Sequence, residues 1–209
     1  MKSFKHLIAF SIIFLLSSSI FAQTTVKIGP RVTGNFNIYN QKALVGTWNG
    51  IGVGIGGTVD VTFGKTIGLL VNLTAFDMKN FSNSQTVGNT TTENSFSLAY
   101  LTIDPLFKAE FSGFYMVGGP SIGIKLNSSG EVTTTGNGQN APPQPQNFET
   151  KTLKFDLAVG TGYNFKLSSD MSLGTDFMAY IPLTDTYNFP GTSNSIFSLK
   201  LGVSLKFKL

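Results

Sequence analysis

From Ile196 to Leu209 apolar and polar residues alternate without a break. Phe197, Leu199, Leu201, Val203, Leu205, Phe207 and Leu209 stand against Ser198, Lys200, Gly202, Ser204, Lys206 and Lys208. A period of two is that of a β-strand with one apolar and one polar face. The pattern recurs upstream, giving eight segments in all. The first covers residues 25–37, with Val26, Ile28, Pro30, Val32 and Phe36 opposite Lys27, Arg31, Thr33 and Asn35. In the second, Ile51, Val53, Ile55, Val59, Val61 and Phe63 alternate with glycines, Thr58, Asp60 and Thr62. A third runs from Ile67 to Ala75. The fourth, 95–110, is hardest to phase because Phe96, Leu98 and Tyr100 share parity with Thr102, Asp104 and Lys108; we place Leu101, Ile103, Pro105 and Phe107 outward. The fifth follows Phe114 to Leu126, the sixth Leu153 to Phe165, and the seventh Leu173 to Leu183.

The links between these segments alternate in length. Residues 38–47, 80–94, 127–150 and 185–194 are long and polar, whereas Gly64-Lys65, 110–113 and 166–170 are short. Transmembrane barrels show this asymmetry, with short periplasmic turns and longer outer loops. The expected fold is therefore all-β, an eight-stranded antiparallel up-and-down transmembrane β-barrel with both ends of the chain on the short-turn side. Segments running toward that side finish outward in Phe63, Phe107, Phe165 and Phe207, the spacing of a periplasmic-side aromatic girdle. Phe36, Trp48, Phe81, Phe148 and Phe197 are candidates for an upper ring. The link 127–150 holds Gly-Asn-Gly and Ala-Pro-Pro-Gln-Pro, a composition that predicts no regular element.

Composition sharpens the picture in three respects. Charged residues are 12% of the 209, against about 25% in typical soluble domains, so the outer surface need not be charged. Residues 1–22 have a basic start at Lys2, Lys5 and His6, an apolar core from Leu7 to Leu16, and Ile20-Phe21-Ala22 before Gln23. This is the pattern of a secretory signal peptide cleaved near Ala22, leaving 23–209 as one barrel domain. Without Lys2 and Lys5, the 15 basic residues fall to 13 against 11 acidic ones, a balance that gives no case for nucleic acid.

The search for chemistry ends in exclusions. There is no Cys, and the one His is His6 in the leader, so the usual base for a Ser nucleophile and the usual transition-metal ligands are missing. We expect no enzyme, no catalytic residue, no cofactor and no metal site. The run Gly52-Val53-Gly54-Ile55-Gly56-Gly57 has dinucleotide-loop spacing, but alternation continues straight through it to Phe63 where a helix would have to start. Asn-x-Ser/Thr triplets at Asn72, Asn80, Asn89 and Asn127 are a chance product of an Asn-, Ser- and Thr-rich chain. What remains is the set of charges on the polar faces: Lys27, Arg31, Asp60, Asp104, Lys108, Lys154, Asp156, Asp176 and Lys200. In an eight-stranded barrel the interior holds side chains and no open channel, so these are expected to pair as a structural lumen network.

The run Tyr-Leu-Thr-Ile-Asp-Pro-Leu-Phe-Lys at 100–108, followed by Gly-Gly-Pro-Ser-Ile-Gly at 118–123, adds a family likeness. With the eight-segment pattern, it resembles the OmpX/OmpA-like outer-membrane barrels, and most of all the PorT-type barrels of Bacteroidetes. The resemblance implies residence in the outer-membrane lipid of a Gram-negative bacterium. It also implies insertion by the barrel assembly machinery, which reads a C-terminal aromatic; here Phe207 stands two before Leu209. A secretion-associated role is allowed by the same likeness. The function expected is non-enzymatic, with outer loops serving adhesion, envelope maintenance or a protein partner. A small pore or solute channel is the main alternative, and a soluble lipocalin-like barrel binding an apolar ligand is a third.

Overall fold

In hydrocarbon each backbone N–H and C=O needs a partner within the protein, so strands can cross only in a sheet without edges. The computed structural model describes residues 24–41, 48–136, 139–145, 149–187 and 193–209, and it meets this condition by closing a ring. In chain order its strands are β1 (Thr25–Gln41), β2 (Trp48–Phe63), β3 (Ile67–Val87), β4 (Thr90–Phe111), β5 (Phe114–Gly136), β6 (Gln139–Asn140), β7 (Gln144–Pro145), β8 (Leu153–Lys166), β9 (Met171–Pro182) and β10 (Asn194–Lys208). All but β6 and β7 form the wall, each antiparallel to its neighbours in the order β1-β2-β3-β4-β5-β8-β9-β10. The first and last strands then close the ring, from Lys27↔Lys208 to Gln41↔Asn194. The expected eight-stranded up-and-down barrel is the fold observed.

Alternation decides what faces where. Outward positions of the wall carry Ile, Val, Leu, Phe, Met, Pro and small residues, with Ile51 73% and Phe107 72% exposed. Inward positions are buried, and in β4 they are Leu98, Tyr100, Thr102, Asp104, Leu106 and Lys108, as phased from the sequence. At the short-turn end Ser112 and Gly113 join β4 to β5 with φ of 53° and 90°, the left-handed pair that a two-residue hairpin needs. The dinucleotide-like glycines lie inside β2, in mid-strand.

Two expectations need correction. Residues 80–94 are no open link: β3 runs on to Val87, turns at Gly88 and Asn89, and returns as β4 from Thr90. Likewise β5 continues to Gly136, and Gln144–Pro145 is a short strand in the stretch read as irregular. These segments are polar on both faces, so hydrophobic alternation disappears while their Thr- and Ser-rich backbone still completes a ladder. β3, β4 and β5 thus rise above the ring as a three-stranded sheet. Thr90 lies five residues above Ser95, the partner of the last β3 residue paired to β2, and eleven above Leu101, the partner of the last β5 residue paired to β8. That projection is about 16 to 36 Å along the strand at ~3.3 Å per residue.

A second departure lies in β3. Thr74 pairs with Thr102 and Asp77 with Tyr100, so Ala75 and Phe76 together oppose Leu101, a β-bulge. One extra residue reverses the faces above it. Phe76 stands outward at 57% exposure while Asp77, Lys79 and Phe81 turn inside. Phe81, expected in the upper ring, is therefore a core residue.

The lumen is filled closely enough that some inward positions must be glycine. At Gly202 a Cβ would meet the Arg31 Nη2 and come within 2.6 Å of the Asp176 Oδ1, whereas at outward Gly34 nothing lies within 4 Å. Gly202→Ala should lower stability by about 1–3 kcal/mol through overpacking. Gly34→Ala should be neutral or slightly stabilising. Urea titration of the refolded barrel in lipid vesicles measures both.

Candidate functional site

Inward charge is unavoidable once the outer wall is given to lipid, and the lumen sorts it into tiers. Nearest the short-turn end, the Asp60 carboxylate accepts from the Lys108 Nζ on one oxygen and from the Lys206 Nζ, at 2.7 Å, on the other. Lys108 also donates to Thr62 Oγ1 at 2.8 Å and to Glu110 Oε2 at 2.6 Å, and Lys206 to Asn164 Oδ1 at 3.0 Å. Above them the Arg31 Nη2 donates to Asp176 Oδ1 at 2.5 Å. The Tyr180 hydroxyl then donates to Asp104 Oδ2 at 2.8 Å, and the Lys200 ammonium lies 4.4 Å from the centre of the Tyr180 ring.

The next tier is organised by Asp77. Its carboxylate accepts from Lys200 at 3.1 Å, Asn35 at 2.7 Å and Thr102 at 3.1 Å, with the Lys79 ammonium 3.5 Å away. Lys79 donates onward to Ser198 Oγ at 3.0 Å, and Ser198 donates to Asn37 Oδ1 at 2.8 Å. Lys154 pairs with Asp156 at the same inner face of β8.

Among the described residues the buried cations are Arg31, Lys79, Lys108, Lys154, Lys200 and Lys206, and the buried carboxylates Asp60, Asp77, Asp104, Asp156 and Asp176. Half-buried Glu110 adds a carboxylate to this set at the rim, bound to Lys108. Of the nine charges expected in the lumen, eight are buried there; Lys27 is half-buried at the rim and donates to Ser172 Oγ at 3.3 Å. Asp77, Lys79 and Lys206 were not among those nine. Lys206 carried its signal in the sequence, since it shares parity with Lys200 in β10. Asp77 and Lys79 are displaced inward by the bulge, which simple alternation cannot register.

Over the charged tiers sits an apolar cap of Tyr39, Phe81, Leu98, Tyr100, Tyr187 and Ile196, with Trp48 and Phe96 packed against it. Tyr39 meets Tyr187 edge-on, ring centres 5.4 Å apart. Tyr187 comes from the link after β9, folded into the mouth and held there. Asn194 Oδ1 accepts from the Thr186 N–H at 3.0 Å and the Tyr187 N–H at 2.7 Å, and Tyr187 bridges to Thr150. Trp48 thus belongs to the cap rather than to an outer ring. Of the other upper-ring candidates, Phe36 and Phe197 face outward and Phe148 lies outside the described residues. At the opposite end Phe107, Phe165 and Phe207 are exposed and Phe63 is half-buried, joined by Phe111, Phe114 and Tyr163.

Removing one member of such a network leaves its partners charged in a water-poor interior. Asp60→Leu leaves Lys206 without a carboxylate and Lys108 with Glu110 alone, and should cost about 3–5 kcal/mol. Adding Lys108→Met and Lys206→Met should recover most of that loss, because the stranded charges go with it. Urea midpoints of the single and triple variants in lipid vesicles check the pair of expectations.

Among solved structures the chain is similar to OprG of Pseudomonas aeruginosa, at 11% identity over 89% of this chain and 95% of that one, with a TM-score of 0.45. It is also similar to Ail of Yersinia pestis, at 11% identity over 87% and 98% with a TM-score of 0.37. A third is neisserial surface protein A, at 10% identity over 87% and 97% with a TM-score of 0.36. No curated protein matches the sequence. The family model described as outer membrane protein beta-barrel domain matches residues 21–188, and the chain belongs to that family of bacterial outer-membrane barrels.

Proposed function

We propose that this barrel is a sealed, non-enzymatic outer-membrane protein whose role is to hold a rigid polar sheet outside the cell for contact with a protein partner, in adhesion or in envelope maintenance. One observation carries the reading: the lumen is closed by paired charges and an apolar cap, while β3, β4 and β5 continue beyond the wall. The wall is committed to lipid and the interior to its own ion pairs, which leaves the outer segments as the surface available to a partner. Of the long links 80–94, 127–150 and 185–194, which as outer loops were expected to meet a partner, the described parts of the first two come together in that sheet and its flank. Absence of Cys, and of His beyond His6, supports a non-catalytic role. Export through residues 1–22, with cleavage near Ala22, fits the same reading. The PorT-type likeness at 100–108 favours a partner within a secretion apparatus.

Two experiments test it. In planar bilayers the wild-type protein should give no steady single-channel steps; reproducible steps would favour a pore. A photo-crosslinker at Thr91, near the tip of the sheet, should trap a discrete partner in native membranes. Replacing residues 83–94 by an Asn-Gly turn should abolish that product while keeping the heat-shifted gel migration of a folded barrel. Capture of the same partner from a wall position such as Val203 after the truncation would place function elsewhere.

A further inference from the structure

A sheet that leaves its barrel acquires edges, and an edge offers unpaired N–H and C=O groups to any other strand. β8 pairs with β5 as far as Ile124↔Leu153, and the Lys125 N–H donates to Thr152 O at 2.8 Å, so β5 would present one such edge from Leu126 to Gly136. Part of it is covered. β6 lies along Thr135 and Gly136, β7 along Glu131 and Val132, and between them the Ala141 N–H donates to Thr134 O at 2.9 Å. Residues 141–145 read Ala-Pro-Pro-Gln-Pro, and all five are exposed.

We propose that this proline-rich segment is an edge guard, which covers the outer part of the β5 edge, Glu131 to Gly136, and prevents copies of this chain from joining sheet to sheet there. Pro142, Pro143 and Pro145 have no N–H to give to a further strand. The Ala141 N–H is already spent on Thr134, and Gln144 reaches back through its side chain to Pro142 O at 3.2 Å. The covering layer therefore ends the ladder instead of extending it. Geometry makes the guarded edge the critical one. The other side of the projecting sheet, β3 beyond Ser82, carries no proline between Asn83 and Val87. Copies adding β5 to β3 would form a head-to-tail contact, which builds rings or open chains and does not stop at the dimer. Blocking the β5 side removes that mode of growth.

The test uses purified full-length barrel in detergent, with no partner present, so its outcome is independent of the proposed partner role. Pro142→Ser, Pro143→Ser and Pro145→Ser together restore three N–H donors. Self-association read by chemical crosslinking and light scattering should rise by roughly tenfold, the weight of about one net backbone hydrogen bond, with products extending past the dimer. A second variant replaces residues 139–145 by a Gly-Ser chain of equal length, and should associate likewise while retaining heat-shifted migration. Adding Thr134→Pro to it should return the protein to wild-type size, because the Thr134 backbone faces the guard and Pro there removes an edge donor. Folded variants that keep the wild-type size distribution would overturn the proposal, as would association that Thr134→Pro leaves unchanged.

Discussion

Everything in this molecule follows from the cost of an unpaired backbone group in hydrocarbon, several kcal/mol each. That cost forces the sheet to close on itself through β1 and β10. Closure in turn divides side chains into two sets with opposite solvents, lipid outside and a narrow interior inside. The outer set can only be apolar within the lipid, so the charges that the strands carry at that depth must enter the lumen. There each cation needs a carboxylate, and tiers such as Asp60 between Lys108 and Lys206 are the outcome. The ion pairs are thus a consequence of closure.

Closure also explains why the ring ends where it does. Above the apolar band water supplies the missing hydrogen bonds, and β3, β4 and β5 are released from the circle to stand as an ordinary sheet. The same water makes the lumen a liability at its mouth, and the cap of Tyr39, Phe81, Tyr100 and Tyr187 lies across it. One boundary therefore sets both the projection and the seal. Rigidity below and exposure above are what a display platform needs.

Much of this could be read from the chain. Period-two alternation located all eight wall strands and phased even β4, because lipid and lumen differ so sharply in polarity that parity alone sorts residues such as Phe107 and Lys108. The same criterion fails above the membrane. Residues 83–94 have water on both sides, so Ser, Thr and Asn recur without a period, and a strand there looks like a loop. It fails again at Ala75-Phe76, since a bulge is a geometric event with no composition of its own. Trp48 and Phe81 were misplaced for a related reason: an aromatic near a strand end suits either the interface or the mouth, and only the register decides.

That bulge gives β3 something like a reading frame. Below it even-numbered residues face the lumen, and above it odd-numbered ones do, so Leu70, Asn72 and Thr74 share an interior with Asp77, Lys79 and Phe81. Loops in most proteins absorb the loss of one residue, and so would the bulge itself, since without Ala75 a lone Phe76 faces Leu101 and Asp77 stays inside. Losing Met78 from the regular ladder, by contrast, would invert every residue on one side of the deletion relative to its neighbours. Lys79 would then point into the membrane, where a lysine costs about 2–4 kcal/mol at mid-depth and less near the surface. Strands β4 and β2 would meet it out of phase. In a barrel wall, a change in length by one is a change of solvent.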